Sequence, residues 1–334
     1  MTIHRMGILG TASVASDFMR EAECHKKVKV VAVSSRTKEK ARRFSQQWSL
    51  PTVMNDYESL INSSEIDIVY IPLPNSLHLE WTERALFAGK HVLCEKPLAV
   101  RRQTATKLFE IAKSNNLTLL EGFPFRFQSY FNKLLKEIDR GCIGDVVTIN
   151  TGFGYTVQQV DNIRFDKSLD GGALLDAGCY AVCFARAVMK SAPRRVVATA
   201  MSHGKGVDIR THATMEYSNQ SVCQLNCSLD SDFHRTAEII GTHGMIEVSY
   251  PNSPTKRNPA RVRITTDRTD SQLDNIQVIT RSPGFDHELT ALANFIDHER
   301  NDIKIFQSES EDNAATLSAI RQSIRSGTWC NVSR

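Results

Sequence analysis

The chain has 334 residues, enough for two domains of ordinary size, and its 41% hydrophobic and 23% charged residues are those of a globular protein with ample core. Its net charge is only +4, with both signs interspersed and no basic block interleaved with aromatics, which argues against nucleic acid as a partner. The opening residues lack the pattern of a signal peptide, no stretch reads as apolar enough to span a membrane, and the eight cysteines form no paired framework or zinc spacing, so a cytoplasmic protein without metal is expected.

Residues 6–10 read as a first strand and 13–23 as a helix. The turn between them, Gly10-Thr11-Ala12-Ser13-Val14-Ala15, is a dinucleotide fingerprint whose second and third glycines are alanine. Small residues there let a pyrophosphate approach the backbone, and the helix N-terminus offers free N–H groups to the anion. A tight strand-helix turn without a ligand reads the same way. The second strand, 28–33, ends in Ser34-Ser35-Arg36, where an NAD enzyme would carry an Asp or Glu for the ribose hydroxyls. Ser35 and Arg36 suit a 2′-phosphate instead, so NADP(H) is expected over NAD, the alternative being a surface arginine.

The alternation continues through helices 38–47 and 57–61 and a strand at 66–71. Leu73, Asn75 and His78 lie on the loop after that strand, where they line a cofactor cleft or support the helix 79–88 that Gly89 stops. The strand from His91 runs into Cys94-Glu95-Lys96-Pro97. Lys96 thus sits at a carboxyl end, where parallel sheets bind ligands, with Glu95 beside it and Pro97 restricting its backbone. Helix 101–113 and strand 118–121 complete a doubly wound parallel sheet, a Rossmann domain over residues 1–122.

Residues 123–334 read as an α+β domain with an open, largely antiparallel sheet, opened by a helix at 130–139. Strands are expected at 146–153, 196–201, 209–217, 221–229, 237–240, 245–248, 262–265 and 277–280, closed by helices 286–299 and 309–325. Asp170-Gly171-Gly172 precedes a helix running to Met189, and its Asp176 and Tyr180 share a face at α-helical spacing. The two glycines would let a ligand approach the backbone. A tyrosine ordinarily titrates near about 10, and a nearby lysine would make it a better proton donor to a carbonyl oxygen; a core tyrosine bonded to an aspartate is the other reading.

Taken together, Gly10-x-Ala12, Glu95-Lys96-Pro97, and Gly171-Gly172 followed by Asp176-x-Gly178-x-Tyr180 resemble the Gfo/Idh/MocA oxidoreductase family over nearly the whole chain. The resemblance implies acid–base catalysis by Lys96 and Tyr180 beside the nicotinamide. It implies substrate contacts from Asp176, Arg164 and Phe123, and cofactor contacts from Gly10, Thr11, Ala12, Ser13, Ser35, Arg36, Leu73, Asn75, His78, Glu95 and Lys96. The segments Val69-Tyr-Ile-Pro-Leu-Pro74 and Asn162-Ile-Arg164-Phe165 look like the NADPH-dependent C-3 ketoreductases of nucleotide-linked deoxysugars, and Gly171-Gly-Ala-Leu-Leu-Asp176 like the dimeric dihydrodiol dehydrogenases. The chain departs from relatives at Gln128-Ser129, where a proline is frequent. The implied activity is hydride transfer between NADP(H) and a carbonyl or secondary alcohol of a sugar or sugar nucleotide. Aldose or trans-dihydrodiol dehydrogenases and a non-catalytic dinucleotide sensor are the alternatives. A homodimer or homotetramer through the C-terminal sheet is implied as well.

Overall fold

The computed structural model describes residues 2–333 apart from 160, 203, 205, 267–274, 298 and 299. Met1, Glu299 and Arg334, which bound expected domains or helices, lie outside the described residues. The chain forms two compact units, one of residues up to Ala99, Gln103–Pro124 and Pro283–Ser310, the other of Val100–Arg102, Phe125–Ser282 and the residues from Glu311.

In the first unit, β1 (His4–Leu9), β2 (Val28–Ser34), β3 (Thr52–Val53), β4 (Ile68–Ile71), β5 (His91–Glu95) and β6 (Leu119–Gly122) form one parallel sheet in the order β3-β2-β1-β4-β5-β6. Helices α1 (Ser13–Ala22), α2 (Lys38–Gln47), α3 (Tyr57–Ile61), α4 (His78–Phe87) and α5 (Arg102–Ser114) connect the strands. All four residues of β4 are buried, as a strand covered on both faces must be. The order reverses between β1 and β4, so the crevice at their carboxyl ends is the expected ligand position of such a sheet. The short β3 has no sequence signal beyond two residues, and it was not foreseen.

In the second unit, α6 (Ser129–Asp139) and β7 (Val146–Thr156) precede α7 (Cys179–Met189), then β8 (Arg195–Ser202), β9 (Asp208–Glu216), β10 (Val222–Ser228), β11 (Asp230–Gly241), β12 (Gly244–Ser249), β13 (Ala260–Thr266) and β14 (Asn275–Ile279). With β15 (Cys330–Asn331) they make a nine-stranded sheet, antiparallel except where β10 runs parallel to β7. β11 begins seven residues before the expected 237, because its polar first half pairs with β7 where periodicity reads only a loop.

Two expectations about helices are corrected. Helix α8 (Gly284–Asp297) belongs to the first unit, where it packs on α1: Phe285 meets the ring of Phe18 edge-on at 5.7 Å, and its N–H donates to Glu21 at 2.7 Å. Helix α9 (Arg300–Ser326) begins well before 309, and its residues from Glu311 belong to the second unit. A third correction concerns membranes. The helical stretch Lys167–Met189 is long and apolar enough to cross one by composition, but 89% of its most apolar window is buried, so its hydrophobicity is that of a core helix.

Candidate functional site

In the first unit the loop after β1 turns at Gly10, whose φ of +93° favours glycine. A side chain there would also meet Leu73 Cδ2 at 3.0 Å and the Tyr57 hydroxyl at 3.6 Å, so Gly10 and Leu73 face each other. Gly10 N–H donates to Ser34 O at 2.7 Å, which ties the ends of β1 and β2 together. Ala12 stands at the N-cap of α1 without a capping side chain, and Thr11 and Ser13 flank it at least partly exposed, so the first-turn N–H groups have no side-chain partner there. Ser35 is buried and Arg36 exposed at the end of β2, and no carboxylate stands at that strand end. Burial pushes the Tyr57 phenol up, and the Arg36 cation and N–H oppose that shift. Tyr57 therefore links the Gly10 loop to Arg36. Sequence reading missed it, since a lone tyrosine opening a short helix gives no signal. These residues fit a dinucleotide with a phosphate on its ribose: a glycine cradle, an uncapped helix start and an exposed guanidinium.

Lys96 follows β5, half-buried, and its bond to Pro97 is cis. Its loop is held from two sides. The buried His78 of α4 stands 2.8 Å from Pro97 O through Nδ1 and 2.8 Å from Leu73 O through Nε2. Burial holds the His78 pKa below its ordinary value against those two carbonyls, with the Lys96 charge adding to the lowering. On the other side, Glu121 Oε1 accepts from Leu98 N–H at 2.8 Å. Burial raises the Glu121 pKa to about 7. Glu95 is buried and accepts from the Tyr70 hydroxyl at 2.8 Å. Asn75 opens a 3-10 turn, Asn75–Leu77, that leads into α4, and Phe123 is buried just past β6.

In the second unit Asp176 lies in a π-helical turn, Leu174–Gly178, and α-helix resumes only at Cys179. Such turns are frequent at functional sites. Asp176 Oδ2 accepts from Arg164 Nε at 2.9 Å and from the Tyr155 hydroxyl. Asp176 raises the Arg164 pKa further, against burial.

The two glycines serve this pair. A Cβ on Gly171 would lie 2.5 Å from Arg164 O, and Gly172, at φ +112°, would meet Asp208 Oδ1. It is thus the chain's own loop and Asp208, not a ligand, that approach these glycines; Asp208 Oδ2 also accepts from Leu174 N–H at 2.7 Å, where the helix begins.

Tyr180 is 5% exposed, with its ring against Phe153 at 5.3 Å and Phe125 at 6.2 Å. Its hydroxyl accepts from Asn252 Nδ2 at 3.1 Å, and the Arg235 guanidinium lies 3.9 Å from its ring centre. Asn252, Arg235 and Tyr155 were not anticipated. None stands in a motif: strand register brings Arg235 and Tyr155 here, and the turn after β12 brings Asn252.

The chain matches two family models. Residues 4–123 match "oxidoreductase family, NAD-binding Rossmann fold", and residues 131–247 match "GFO/IDH/MocA C-terminal domain". It is 29% identical to a D-xylose 1-dehydrogenase (NADP(+)) of Haloferax volcanii over 96% of this chain and 97% of that one. It is 33% identical to a dTDP-3,4-didehydro-2,6-dideoxy-alpha-D-glucose 3-reductase of Streptomyces violaceoruber, over 89% and 85% of the two chains. Among solved structures, a 3-ketoreductase from Actinomadura kijaniata in complex with NADP and TDP-benzene superposes with a TM-score of 0.87 at 26% identity, covering 96% of this chain and 98% of that one. With Gly10 at the first turn, Lys96 after β5 and Tyr180 on α7, and with both of its halves matched, this chain belongs to the Gfo/Idh/MocA family of oxidoreductases.

Proposed function

We propose that the protein is an NADP(H)-dependent oxidoreductase acting on the carbonyl or secondary alcohol of a sugar, and specifically a C-3 ketoreductase of a nucleotide-linked keto-deoxysugar. The observation that carries the substrate class is Arg164. Its Nε is anchored on Asp176 at 2.9 Å while its side chain remains 32% exposed, which leaves a fixed cation with donors for an anionic group such as a diphosphate. NADP(H) supplies the hydride in reduction and accepts it in oxidation. Gly10, Thr11, Ala12 and Ser13 would hold its pyrophosphate, and Ser35 and Arg36 its 2′-phosphate. Leu73, Asn75 and His78 shape the cleft wall. Tyr180 gives its proton to the substrate oxygen, and Lys96 neutralises charge developing on that oxygen, with Glu95 beside it. Phe123 contributes an apolar contact to the sugar.

A second reading, an aldose dehydrogenase, draws on the same pair: Asp176 offsets the Arg164 charge, and a neutralised pair also suits uncharged sugar hydroxyls. Eight free cysteines suit a reducing cytoplasm, and pairing of the open second sheet with another copy would give a homodimer or homotetramer.

The test is fluorescence titration with NADPH and NADH, then oxidation of NADPH with keto-sugars, free and nucleotide-linked. Tight NADPH binding with turnover only on nucleotide-linked ketones is the expected result. Turnover on free aldoses in the oxidative direction would favour the second reading. Binding without turnover on any of them would make the protein a dinucleotide sensor.

A further inference from the structure

Arg235 is buried, at 6% exposure, and has no carboxylate partner among the described residues. Its Nη2 donates to Asn252 Oδ1 at 2.8 Å, and its Nε is buried without a hydrogen-bond partner. Aromatic rings surround the guanidinium carbon: Tyr180 at 3.9 Å from the ring centre, Phe153 at 5.0 Å, Tyr250 at 5.1 Å and Phe125 at 5.4 Å. The register creates this box, because Arg235 of β11 is paired directly with Phe153 of β7. A cation removed from water with no counter-ion is costly, and replacing it with a hydrophobic residue would ordinarily cost less. Its presence in an aromatic box is the ground for a task beyond packing.

Asn252 shows what that task is. Because Arg235 occupies its Oδ1, the amide nitrogen faces Tyr180, donating to the hydroxyl oxygen at 3.1 Å. The backbone of Asn252 is fixed in turn, since Gln128 Nε2 donates to its carbonyl at 2.6 Å. A phenol oxygen that already accepts one hydrogen bond directs its own O–H elsewhere. Once that proton leaves, the same N–H stabilises the phenolate, and the guanidinium stacked on the ring stabilises its charge.

We propose that Arg235 and Asn252 are positioning residues that hold Tyr180 as a proton donor of raised acidity, an inference that rests on reading Tyr180 as the proton donor. In the step itself the Tyr180 O–H bond breaks, the proton passes to the substrate oxygen, and the phenolate remains between Asn252 Nδ2–H and the Arg235 cation. Among the described residues, titratable groups on the elements around this box include the phenols Tyr250 beside Arg235, Tyr155 beside Phe153 and Tyr130, Arg126 of the turn carrying Phe125, and Asp176 one turn earlier, which Arg164 neutralises. Burial pushes Tyr130 and Tyr250 up while Arg235 pulls both down, so the cation acts on two neighbouring phenols.

The test is an ultraviolet tyrosinate titration of the full-length protein without cofactor, taken as the difference between wild type and Tyr180→Phe. Tyr180 should ionise at least about one pH unit below the ordinary phenol value of about 10. Arg235→Met and Asn252→Ser should move that transition upward by about one unit or more, and Arg235→Lys should restore part of the shift. In the reductive direction the protonated phenol is required, so the alkaline fall in kcat/KM should move to higher pH in the same variants while KM for NADPH stays. Tyr180 titrating at or above about 10 in the wild type, or unchanged in the folded variants, would overturn the proposal. If Arg235→Met fails to fold, the Asn252→Ser titration decides alone. Near-normal turnover by Tyr180→Phe would instead remove Tyr180 from the chemistry, whatever its titration.

Discussion

Arg164 and Asp176 form one unit: Nε to Oδ2 is 2.9 Å, the Tyr155 hydroxyl donates to the same oxygen, and the guanidinium sits 5.8 Å from the Tyr155 ring centre. Two groups that the sequence offers as separate substrate contacts therefore cannot be altered independently. Removing Asp176 leaves a partly buried cation without its partner, and removing Arg164 leaves the carboxylate with Tyr155. Asp176→Asn and Arg164→Met should each raise KM for a nucleotide-linked substrate, and the double variant should be little worse than the poorer single one. A coupling energy of about 1–3 kcal/mol from the double-mutant cycle is expected, in KM and in urea unfolding alike. Strictly additive effects would mean that the pair does not act together.

Lys96 sits on a loop held by His78 on one side and Glu121 on the other, so its backbone position does not depend on its own side chain. Lys96→Met should accordingly leave the fold and NADPH affinity near wild type and lower kcat by about 10²–10⁴-fold, the range for a positioned acid–base group. Fluorescence titration measures the NADPH affinity, and NADPH absorbance during turnover of a keto-sugar measures kcat. Loss of NADPH binding as large as the loss in kcat would make Lys96 a cofactor ligand before anything else.

The first unit was legible in the sequence because its signals are local. Gly10, the alternation of strands and helices, and Lys96 after β5 all lie within short windows, and a parallel sheet buried on both faces writes its strands as apolar runs. The second unit was less so. The polar residues Asp230 to Arg235 read as a loop, yet they are the first half of β11, paired across to β7. That pairing puts Arg235 over Tyr180, and the turn after β12 brings Asn252 to its hydroxyl. Contacts set by the register of strands about 80 residues apart carry no signature in a one-dimensional pattern. The π-helical turn at Asp176 is hidden for the same reason: its composition is that of an α-helix, and the loop bearing Arg164 and the side chain of Asp208 pack against its start.

Arg36 is exposed at the end of β2, where no carboxylate competes for the ribose. Replacing it with aspartate supplies an acceptor for the 2′-hydroxyl and repels a 2′-phosphate. Arg36→Asp should weaken NADPH binding by about 10- to 100-fold, the loss of one charge-assisted contact of about 1.5–3 kcal/mol, and should leave NADH binding unchanged or improved. Paired fluorescence titrations measure both. Equal losses for the two cofactors would place Arg36 away from the 2′-phosphate.

Glu121 makes stability depend on pH in a direction opposite to that of most carboxylates. Burial is the main cause of its pKa of about 7, set against an ordinary value of 4.5, with hydrogen bonds from Ser310 and Leu98 opposing the rise. Below pH 4.5 the folded and unfolded chains both carry the proton, and the buried group adds no charge penalty. Between 4.5 and 7 the unfolded chain releases the proton while the folded chain keeps it, so stability falls as pH rises. Above 7 both states are ionised and the full cost, about 3 kcal/mol, is present. Glu121→Gln keeps an oxygen for Leu98 N–H but cannot ionise. It should therefore be more stable than wild type at pH 8 by up to about 3 kcal/mol and nearly equal near pH 4.5, as read from urea unfolding at both pH values. A wild type and variant that differ equally at the two pH values would show that Glu121 titrates alike in the folded and unfolded chains. Because Leu98 lies two residues past Lys96, ionisation of Glu121 also acts on the loop that presents Lys96, and the variant should flatten any change in kcat centred near pH 7.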